Sequence, residues 1–588
     1  MNKNLKNINH ECDLCVVGGG LAGMCAAIAA ARHGLKVVIM HDRPVFGGNA
    51  SSEIRMWVCG AKGENNRETG IIEEICLENL HRNPYRTYPI WDSILYEFVK
   101  KEENITPILN CSCNDCEMDG NTITKIIGWQ TTTQAYHTVS AKFFADCSGD
   151  SILAPLSGAE YSMGREARSQ YNESIAPEVA DKKTMGLSCL LQARQTNEKR
   201  TFIPPKWAYK FKREELANRI KGIDHPYENY WYLELGGTQD TIANTEELRD
   251  ELVAMAYGMW DYIKNSGDCD ADNWELDWVG FLPGKRESRR YIGDYVMNQN
   301  DVQASGKFDD IVAYGGWKMD DHNPDGIRAK EKPTIFHPAP SPFGIPYRSL
   351  YSKNIDNLFF AGRNISVTHS AMSSTRVMAT CAAIGQAVGT AASLAVKYAL
   401  SPRGVYEHKI DELKQTLMTD GCYLPGNTTD ITDIMKNAAI SSNGKDAELL
   451  TNGHERPIGN DTNCWKGNVG NYIEIKFDKH KYINELRIVL DSDLDRKTIG
   501  CCGYLSEKPT IANIPLELHP VHTPETLVKD IKVELVDESG VYTVLTEIKD
   551  NYQRIINVNI NTECCGVRIT PLSTHGCDTI NIYSVSVN

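Results

Sequence analysis

The hydrophobic pattern near the start of the chain is that of a strand, a turn, a helix and a second strand. Apolar residues 14–17 are followed by a glycine-rich turn, and small residues from Met24 to about His33 favour a helix. Gly34 follows, as expected for a glycine that ends a helix, and residues 37–40 form a second apolar run. These elements within about 30 residues predict a βαβ unit.

Residues 92–400 divide into three segments that differ in their pattern of apolar, aromatic and loop-forming residues. Residues 92–150 predict a helix and several short strands, and residues 346–400 return to a strand, a turn and a helix. Between them, residues 151–345 mix aromatic residues with loops, which indicates an inserted α+β cap. Residues 377–400 are apolar and Ala-rich but broken by glycines, so we expect a buried helix rather than a membrane span.

After about residue 430, polar and apolar positions alternate with a period of two. This alternation, interrupted by Gly, Asn and Asp turns, predicts an all-β sandwich. The pattern breaks within residues 422–445, where we place the boundary. The predicted domains are residues 10–155 and 345–425 for two parts of an α/β Rossmann-like domain, 156–344 for the cap, and 440–588 for the sandwich.

Three glycines in the first turn predict a dinucleotide site. Gly18 allows a tight turn, Gly20 lets the backbone approach a pyrophosphate, and Gly23 lets the helix pack closely on the sheet. The helix N-terminus then points its N–H groups at the phosphates. A GxGxxG motif alone is weak, but this one follows a predicted strand and opens a predicted helix, which argues against a nonfunctional turn.

The end of the second strand departs from the usual pattern of such sites. A carboxylate there normally accepts hydrogen bonds from the ribose hydroxyls, whereas this chain has His41 followed by Asp42. An imidazole can accept one such bond, and Asp42 could supply the carboxylate from one residue further along. Both residues are therefore candidates for ribose binding.

Three later segments resemble the glutathione-reductase-type flavoproteins. A Gly-Gly pair opens residues 47–50, residues 146–150 follow a predicted strand, and residues 360–363 read Phe-Ala-Gly-Arg. The resemblance implies FAD rather than NAD as the cofactor and a glutathione-reductase-type FAD-binding fold. The cofactor contacts that it implies are Gly48, Asn49, Gly149, Asp150, Gly362 and Arg363.

Longer stretches resemble one family within that group, the bacterial FAD-dependent oxidoreductases. They are residues 42–55, 284–290, 345–350 and 362–369, and the resemblance covers about residues 10–425. Some members of this family carry the name xanthan lyase, and the family is a distant relative of the fumarate reductase flavoproteins. The resemblance implies the fold and FAD, but it does not define a substrate.

The segment before the Ala-rich helix supplies candidates for chemistry. In the fumarate reductase relatives this helix points its N-terminus at the flavin, which implies cofactor contacts for Ser374 and Thr375; these residues could equally be ordinary helix caps. His369 could exchange a proton with a substrate hydroxyl, or it could be a structural histidine that bonds a loop carbonyl. Arg376 closes the segment and is a further catalytic candidate.

Cationic residues of the cap are the other catalytic candidates. Arg286, Arg289 and Arg290 could orient a carboxylate through bidentate contacts, or they could form ion pairs with acids such as Glu287. We select Arg289 as the catalytic candidate of the three. Further residues that could line the same cavity are Glu53, Arg55, Trp317, Asp321 and His322.

The composition of the chain limits the classes of binding partner that we expect. The 588-residue chain carries a net charge of -15, which argues against nucleic acid or anionic membranes as main partners. The N-terminus shows no apolar signal region, so we expect a cytoplasmic protein whose 19 cysteines are mostly free thiols. Cys111, Cys113 and Cys116 form a CxCxxC pattern, but no fourth ligand has a fitting spacing, so we predict no metal site.

The C-terminal region resembles the galactose-binding-like jelly roll. The resemblance rests on Asn463-Cys464-Trp465 and on the alternating runs at residues 472–477 and 483–487. It implies either a glycan-binding module or a module for packing or oligomerisation, and both remain open.

The resulting hypothesis is an FAD-dependent oxidoreductase. Hydride would pass between flavin N5 and a small polar substrate, either a sugar derivative or an organic acid. One alternative is a redox-neutral lyase or isomerase acting on a glycan-derived substrate, and another is a glycan-binding protein with a structural flavin. The sequence shows no second dinucleotide motif, so the electron acceptor stays open, as does the oligomeric state.

Overall fold

A computed structural model describes residues 5–216, 219, 228–500 and 508–588. The chain forms two compact units. The first unit contains residues 1–62, 86–417 and 508–518, and the second contains residues 63–85, 418–507 and 519–588.

The N-terminal part of the chain supplies most of a mixed sheet. Its elements are β1 (Lys6–Val17), α1 (Leu21–Arg32), β2 (Val37–Met40), α2 (Ile71–Arg82), α3 (Tyr88–Lys100), β3 (Ile105–Ile108), β4 (Cys111–Asp119), β5 (Thr122–Gln130) and β6 (Ala135–Asp146). All but α2 belong to the first unit.

The cap follows in the chain. Its elements are α4 (Leu153–Ser157), β7 (Tyr161–Ser162), α5 (Arg168–Tyr171), β8 (Leu187–Ser188), β9 (Leu191–Gln195), β10 (Glu234–Leu235), α6 (Thr245–Asn265), β11 (Trp274–Val279), β12 (Gly284–Lys285), β13 (Arg290–Tyr291), α7 (Gln299–Gln303), β14 (Ile311–Gly315), β15 (Met319–His322), β16 (Thr334–His337) and β17 (Phe343–Pro346). Short antiparallel ladders such as β8 with β10 and β12, and β15 with β16, alternate with helices, which confirms the predicted α+β character.

The chain then returns to the first sheet through β18 (Leu358–Phe360), α8 (His369–Thr375), α9 (Met378–Tyr398) and α10 (Pro402–Thr419). The sheet has seven strands in the order β3-β2-β1-β6-β5-β4, with β18 also paired to β6. Strands β1, β2, β3, β6 and β18 are parallel, and β4 and β5 are antiparallel. The predicted Rossmann-like α/β fold is confirmed, with β1 inside the sheet and the glycine turn at its carboxyl end.

Helices α1 and α9 lie against each other because both present small residues. A Cβ on Gly385 would lie 2.0 Å from the carbonyl oxygen of Ala22, and one on Gly389 would lie 2.1 Å from that of Ala26. Among the described residues, α9 alone is long and apolar enough to cross a membrane, and 89% of its apolar window is buried within the protein. The predicted buried helix at residues 377–400 is therefore confirmed.

The second unit is an antiparallel β structure, which confirms the all-β prediction. Its elements after α10 are α11 (Asp433–Lys436), β19 (Ala439–Ser442), β20 (Trp465–Asn468), β21 (Ile473–Leu490), β22 (Val528–Val536), β23 (Tyr542–Ile548), β24 (Ile555–Thr574) and β25 (Thr579–Val587). The strand order is β20-β25-β21-β24-β22-β23, with β19 paired to β21. Its apolar core includes Trp465, Ile473, Leu486, Val533 and Ile569.

Two chain segments lie outside the domains in which the sequence pattern places them. Residues 63–85 fall within the predicted 10–155 segment but belong to the second unit, because Leu77 and Leu80 of α2 join its apolar core. Residues 508–518 fall within the predicted sandwich but belong to the first unit, where the Ile514 N–H donates to the carbonyl oxygen of Ala193 at 3.0 Å. The remaining domain boundaries stay predictions.

Candidate functional site

The glycine turn between β1 and α1 has two glycines that the protein itself requires. Gly18 has φ +106°, and a Cβ there would lie 2.4 Å from the carbonyl oxygen of Cys147. A Cβ on Gly23 would lie 1.9 Å from the carbonyl oxygen of Gly18. Both positions therefore exclude a side chain for reasons of backbone packing.

Gly20 differs from its two neighbours in the motif. A Cβ at Gly20 would have Gly48 Cα as its nearest protein atom, at 3.9 Å, and the residue has φ -68°. The protein itself leaves room for a side chain there. A glycine is then needed only if something else approaches the backbone, which fits the diphosphate of a dinucleotide at the N-terminus of α1.

The Gly-Gly pair lies directly beside this turn. The Gly47 N–H donates to the carbonyl oxygen of Gly19 at 2.8 Å, and Gly47 and Gly48 have φ +107° and +59°. A Cβ on Gly48 would lie 3.1 Å from Gly20 Cα. Asn49 Nδ2 donates to the carbonyl oxygen of Lys285 at 3.2 Å, which connects this loop to the cap.

His41 supports the glycine turn from behind. The Gly19 N–H donates to His41 Nδ1 at 3.0 Å, and Nε2 lies 3.1 Å from the carbonyl oxygen of Val45. Both ring nitrogens are thus engaged by the backbone. The Asp42 side chain is 61% exposed, and this leaves Asp42 as the better of the two candidates for a ribose.

One cavity of about 630 Å³ collects most of the predicted residues. Its lining includes the cofactor candidates Gly18, Gly20, His41, Asp42, Gly48, Asn49, Gly149, Asp150, Gly362 and Arg363, and the catalytic candidates Arg289 and Arg376. Cap residues also line it: Ile242, Thr245, Leu282, Pro283 and Lys285. Glu53 lines the cavity as well, and burial raises the pKa of its carboxyl despite the opposing charge of Arg43.

Asp150 holds two cations against the cavity wall. Arg363 Nη2 lies 2.6 Å from its Oδ1, and Lys285 Nζ lies 2.7 Å from its Oδ2. Burial opposes ionisation, but these two cations hold the pKa of the Asp150 carboxyl well below its usual range. Lys285 was not selected from the sequence, although it stands in the 284–290 stretch that carries the family resemblance.

The predicted flavin contacts Ser374 and Thr375 do not line the cavity. Both are buried in α8, and Ser374 Oγ donates to the carbonyl oxygen of Trp317 at 2.5 Å. The Ala-rich helix α9 begins only at Met378, after Val377 in extended conformation. Arg376, which ends α8, and Met378, which begins α9, line the cavity instead.

His369 is poorly suited to the base half of its predicted role in proton exchange. Its Nδ1 lies 2.8 Å from Glu287 Oε2 and its Nε2 lies 3.1 Å from Asp321 Oδ1. Burial lowers its pKa, but the two carboxylates outweigh burial and raise the pKa to about 10. The ring is therefore a buried cation at neutral pH, and it is not among the residues that line the cavity.

The arginines of the cap have different surroundings. Arg290 is fully buried and forms ion pairs with Glu166 and Glu287, so the ion-pair interpretation holds for it. Arg289 lines the cavity and contacts the carbonyl oxygen of Asp150 at 3.4 Å and the ring of Tyr161. Arg55, predicted to line the cavity, instead donates to Gln192 Oε1 and lies over the ring of Trp278.

The CxCxxC cysteines lie along β4 as free thiols. Burial raises the pKa of Cys111 to about 12, which disfavours the thiolate that a metal would bind. Within the described ranges, no three His, Cys, Asp or Glu side chains gather in a way that could hold a metal ion.

The fold and the glycine-lined cavity define a dinucleotide-binding α/β protein. A family model described as "FAD dependent oxidoreductase" matches residues 13–417. The chain belongs to this family of FAD-dependent oxidoreductases, and FAD is its cofactor. The open space at Gly20, beside Gly48 and the N-terminus of α1, fits that cofactor.

A curated relative and two solved structures are similar to parts of the chain. The 4-oxocyclohex-2-ene-1-carboxylate 5-dehydrogenase of Sinomonas cyclohexanicum is 32% identical over 125 residues, which cover 19% of this chain and 20% of that enzyme. The chain thus matches only about a fifth of that relative's length.

Both solved structures are family 32 carbohydrate-binding modules. The module from Streptococcus pneumoniae EndoD is 13% identical, covers 27% of this chain and 99% of its own, and has a TM-score of 0.20. The module from C. perfringens NanJ in complex with galactose is 11% identical, covers 26% of this chain and 95% of its own, and has a TM-score of 0.18.

Proposed function

We propose that this enzyme transfers a hydride between a small polar substrate, a sugar derivative or an organic acid, and N5 of its flavin. The observation that supports this most is the shared cavity: the glycine turn and cap residues such as Leu282, Pro283 and Arg289 line the same space. A cap over a dinucleotide site provides a place for a second molecule next to the cofactor.

Several residues are suited to hold FAD. The turn at Gly20 and the N-terminus of α1 suit the diphosphate, and Asp42 suits the ribose because both ring nitrogens of His41 are already engaged. Arg363, fixed by Asp150, adds a cation at the cavity wall. Bound FAD would supply a two-electron acceptor.

The proposed oxidation of the substrate needs no oxidant other than FAD. A substrate C–H bond breaks, its electron pair leaves with the hydride, the hydroxyl proton leaves to a base or to water, and a C=O bond forms. The carboxylates of Glu287 and Asp321 raise the pKa of His369 to about 10, so we do not assign the base role to it.

The test is an anaerobic screen of the yellow, purified protein. We expect at least one sugar derivative or hydroxylated organic acid to bleach the visible absorption of the oxidised flavin. Turnover without bleaching and without an electron acceptor would contradict hydride release and favour the redox-neutral alternative. A flavin that no such compound reduces would also contradict the proposal.

A further inference from the structure

One carboxylate of the cofactor cavity has no partner in the protein. Among the described residues, three acids line this cavity: Asp42, Glu53 and Asp150. Asp150 is held by two cations, and Asp42 Oδ1 lies 3.2 Å from His41 Nδ1. Within the described part of the chain, the Glu53 side chain forms no ion pair and accepts no hydrogen bond, although its Oε2 is enclosed. A buried acceptor that the protein leaves unused points to a donor on a bound molecule.

The other oxygen of this carboxylate is accessible to a ligand. Glu53 Oε1 also lacks a hydrogen-bond partner among the described residues, but unlike Oε2 it is not enclosed. Glu53 lines the cavity of about 630 Å³ that also includes Gly20 of the glycine turn. A molecule that enters this cavity therefore has both access to the carboxylate and space beside it.

Helix α3 fixes the loop that carries Glu53. Trp91 Nε1 donates to the carbonyl oxygen of Ala50 at 3.0 Å, and the Ser52 N–H donates to Asp92 Oδ1 at 3.1 Å. Both donors and acceptors lie just before Glu53 in the loop or on the helix beside it. The backbone therefore sets the position of the carboxylate, which makes no contact of its own that would do so.

The charges that act on Glu53 locate it at the carboxyl end of β2. Burial raises the pKa of its carboxyl, Arg43 and His41 oppose this rise, and Asp42 adds to it. These three residues directly follow β2, which ends at Met40. In dinucleotide sites of this kind, the end of the second strand is where a carboxylate meets the ribose hydroxyls. The loop after the Gly-Gly pair thus brings a carboxylate to the place where the strand itself offers only a histidine.

We propose that Glu53 accepts a hydrogen bond from a hydroxyl of the adenosine ribose of FAD. It supplies the carboxylate that is missing from the end of β2, where His41 supports the glycine turn instead. Asp42, whose side chain is 61% exposed, serves one of the two ribose hydroxyls from outside, and Glu53 serves the other from within the cavity. The inference concerns the binding of the cofactor and holds whether or not hydride transfer takes place.

A residue that binds the cofactor differs from one that stabilises the fold in its effect on the apoprotein. Glu53→Gln removes a half-buried carboxylate that no described group pairs with, so the apoprotein should be at least as stable as before. The same change removes a charge-assisted hydrogen bond to the ribose, so the Kd for FAD should rise at least about tenfold. A purely structural glutamate would give the opposite pattern, with a lower melting temperature and an unchanged Kd.

The experiment uses the full-length apoprotein. Its melting temperature is measured, FAD is titrated back by flavin fluorescence, and ADP, 2′-deoxy-ADP and 3′-deoxy-ADP then compete with FAD. We expect the unmodified protein to prefer ADP over each deoxy compound at least about tenfold, and Glu53→Gln to lose the preference for one of the two hydroxyls. Glu178→Gln, at an exposed ion pair with Arg168, should change neither the melting temperature nor any of these affinities.

Three results would overturn the inference. The first is an unchanged FAD affinity in Glu53→Gln, and the second is a lower melting temperature or a lost fold in the apoprotein of that variant, which would assign Glu53 to the fold. The third needs no variant: the unmodified protein would bind ADP and both deoxy compounds equally. Hydride transfer is tested separately by bleaching of the flavin in the unmodified enzyme, so failure of either idea leaves the other standing.

Discussion

At the scale of single residues, the three motif glycines are required for different reasons: Gly18 and Gly23 for the packing of the protein backbone, and Gly20 for the binding of the cofactor. Gly20→Val places its side chain where the nearest protein atom is 3.9 Å from Cβ, so the fold should persist. The same side chain would occupy the place of the diphosphate. We therefore expect a folded but colourless protein, measured by the FAD-to-protein absorbance ratio and by thermal unfolding of the apoprotein.

Gly23→Ala is the matched contrast. Its methyl group would lie 1.9 Å from the carbonyl oxygen of Gly18, so this smaller change should lower the melting temperature of the apoprotein itself. A yellow Gly20→Val protein with normal FAD content would contradict the assignment of Gly20 to the diphosphate.

His369 gives a prediction about pH. Its pKa is raised from 6.5 to about 10, so its contribution to stability is complete below about pH 6.5 and is lost as the pH rises towards 10. His369→Gln leaves Glu287 and Asp321 without this cation, and we expect a loss of about 3–5 kcal/mol at neutral pH. Melting temperatures of both proteins should converge as the pH rises from 6.5 to 10; a constant difference would refute the buried cation.

At the scale of elements, the sequence predicts those helices and strands whose signal lies within one short stretch of the chain. The βαβ unit and helix α9 follow from hydrophobic period and small residues within one window. The break between α8 and α9 at residues 376–377 is invisible to that pattern, because small residues predominate on both sides of it. Ser374 and Thr375 lie at the C-terminal end of α8 rather than at the start of α9, so Arg376 lines the cavity and they do not; their contact with the flavin stays a prediction.

Contacts between residues that are distant in the sequence could not be predicted from the hydrophobic pattern either. The Asp320-Asp321-His322 run shows strand alternation, but its partners Glu234 and Arg376 lie far away in sequence. No spacing rule connects them, so the sequence could name His322 as a cap candidate without placing it. The resemblance to a family located the 284–290 stretch, and only the fold distinguished the buried Arg290 from the cavity-facing Arg289.

At the scale of the whole molecule, the second unit depends on a segment from the first hundred residues. Helix α2 adds Leu77 and Leu80 to the core of that unit, and it places Glu73 against Arg496, both 2% exposed. Ser492 Oγ also donates a hydrogen bond to the Glu73 carboxylate, at 2.8 Å. The C-terminal residues alone, beginning near the predicted boundary, would therefore lack part of their core and leave a buried arginine unpaired.

Glu73→Gln tests this dependence in the full chain. Burial opposes ionisation, but Arg496 holds the pKa of Glu73 below its usual 4.5, so the contribution is present above about pH 4.5 and is lost as the pH falls through the lower folded value. Removing one partner of a buried pair costs about 3–5 kcal/mol. We expect earlier thermal unfolding of the β unit at pH 7, read from protease cleavage sites, with FAD retained.

Asp433→Asn in α11 of the same unit is the control, because Asp433 pairs with Lys436 three residues away and both side chains are exposed, at 93% and 59%. Such an exposed pair contributes little to stability, so unfolding of this variant should resemble that of the unmodified protein. Equal stability of Glu73→Gln and Asp433→Asn at pH 7 would show that α2 is not an integral part of the β unit. Loss of FAD in Glu73→Gln alone would show that the two units do not unfold separately.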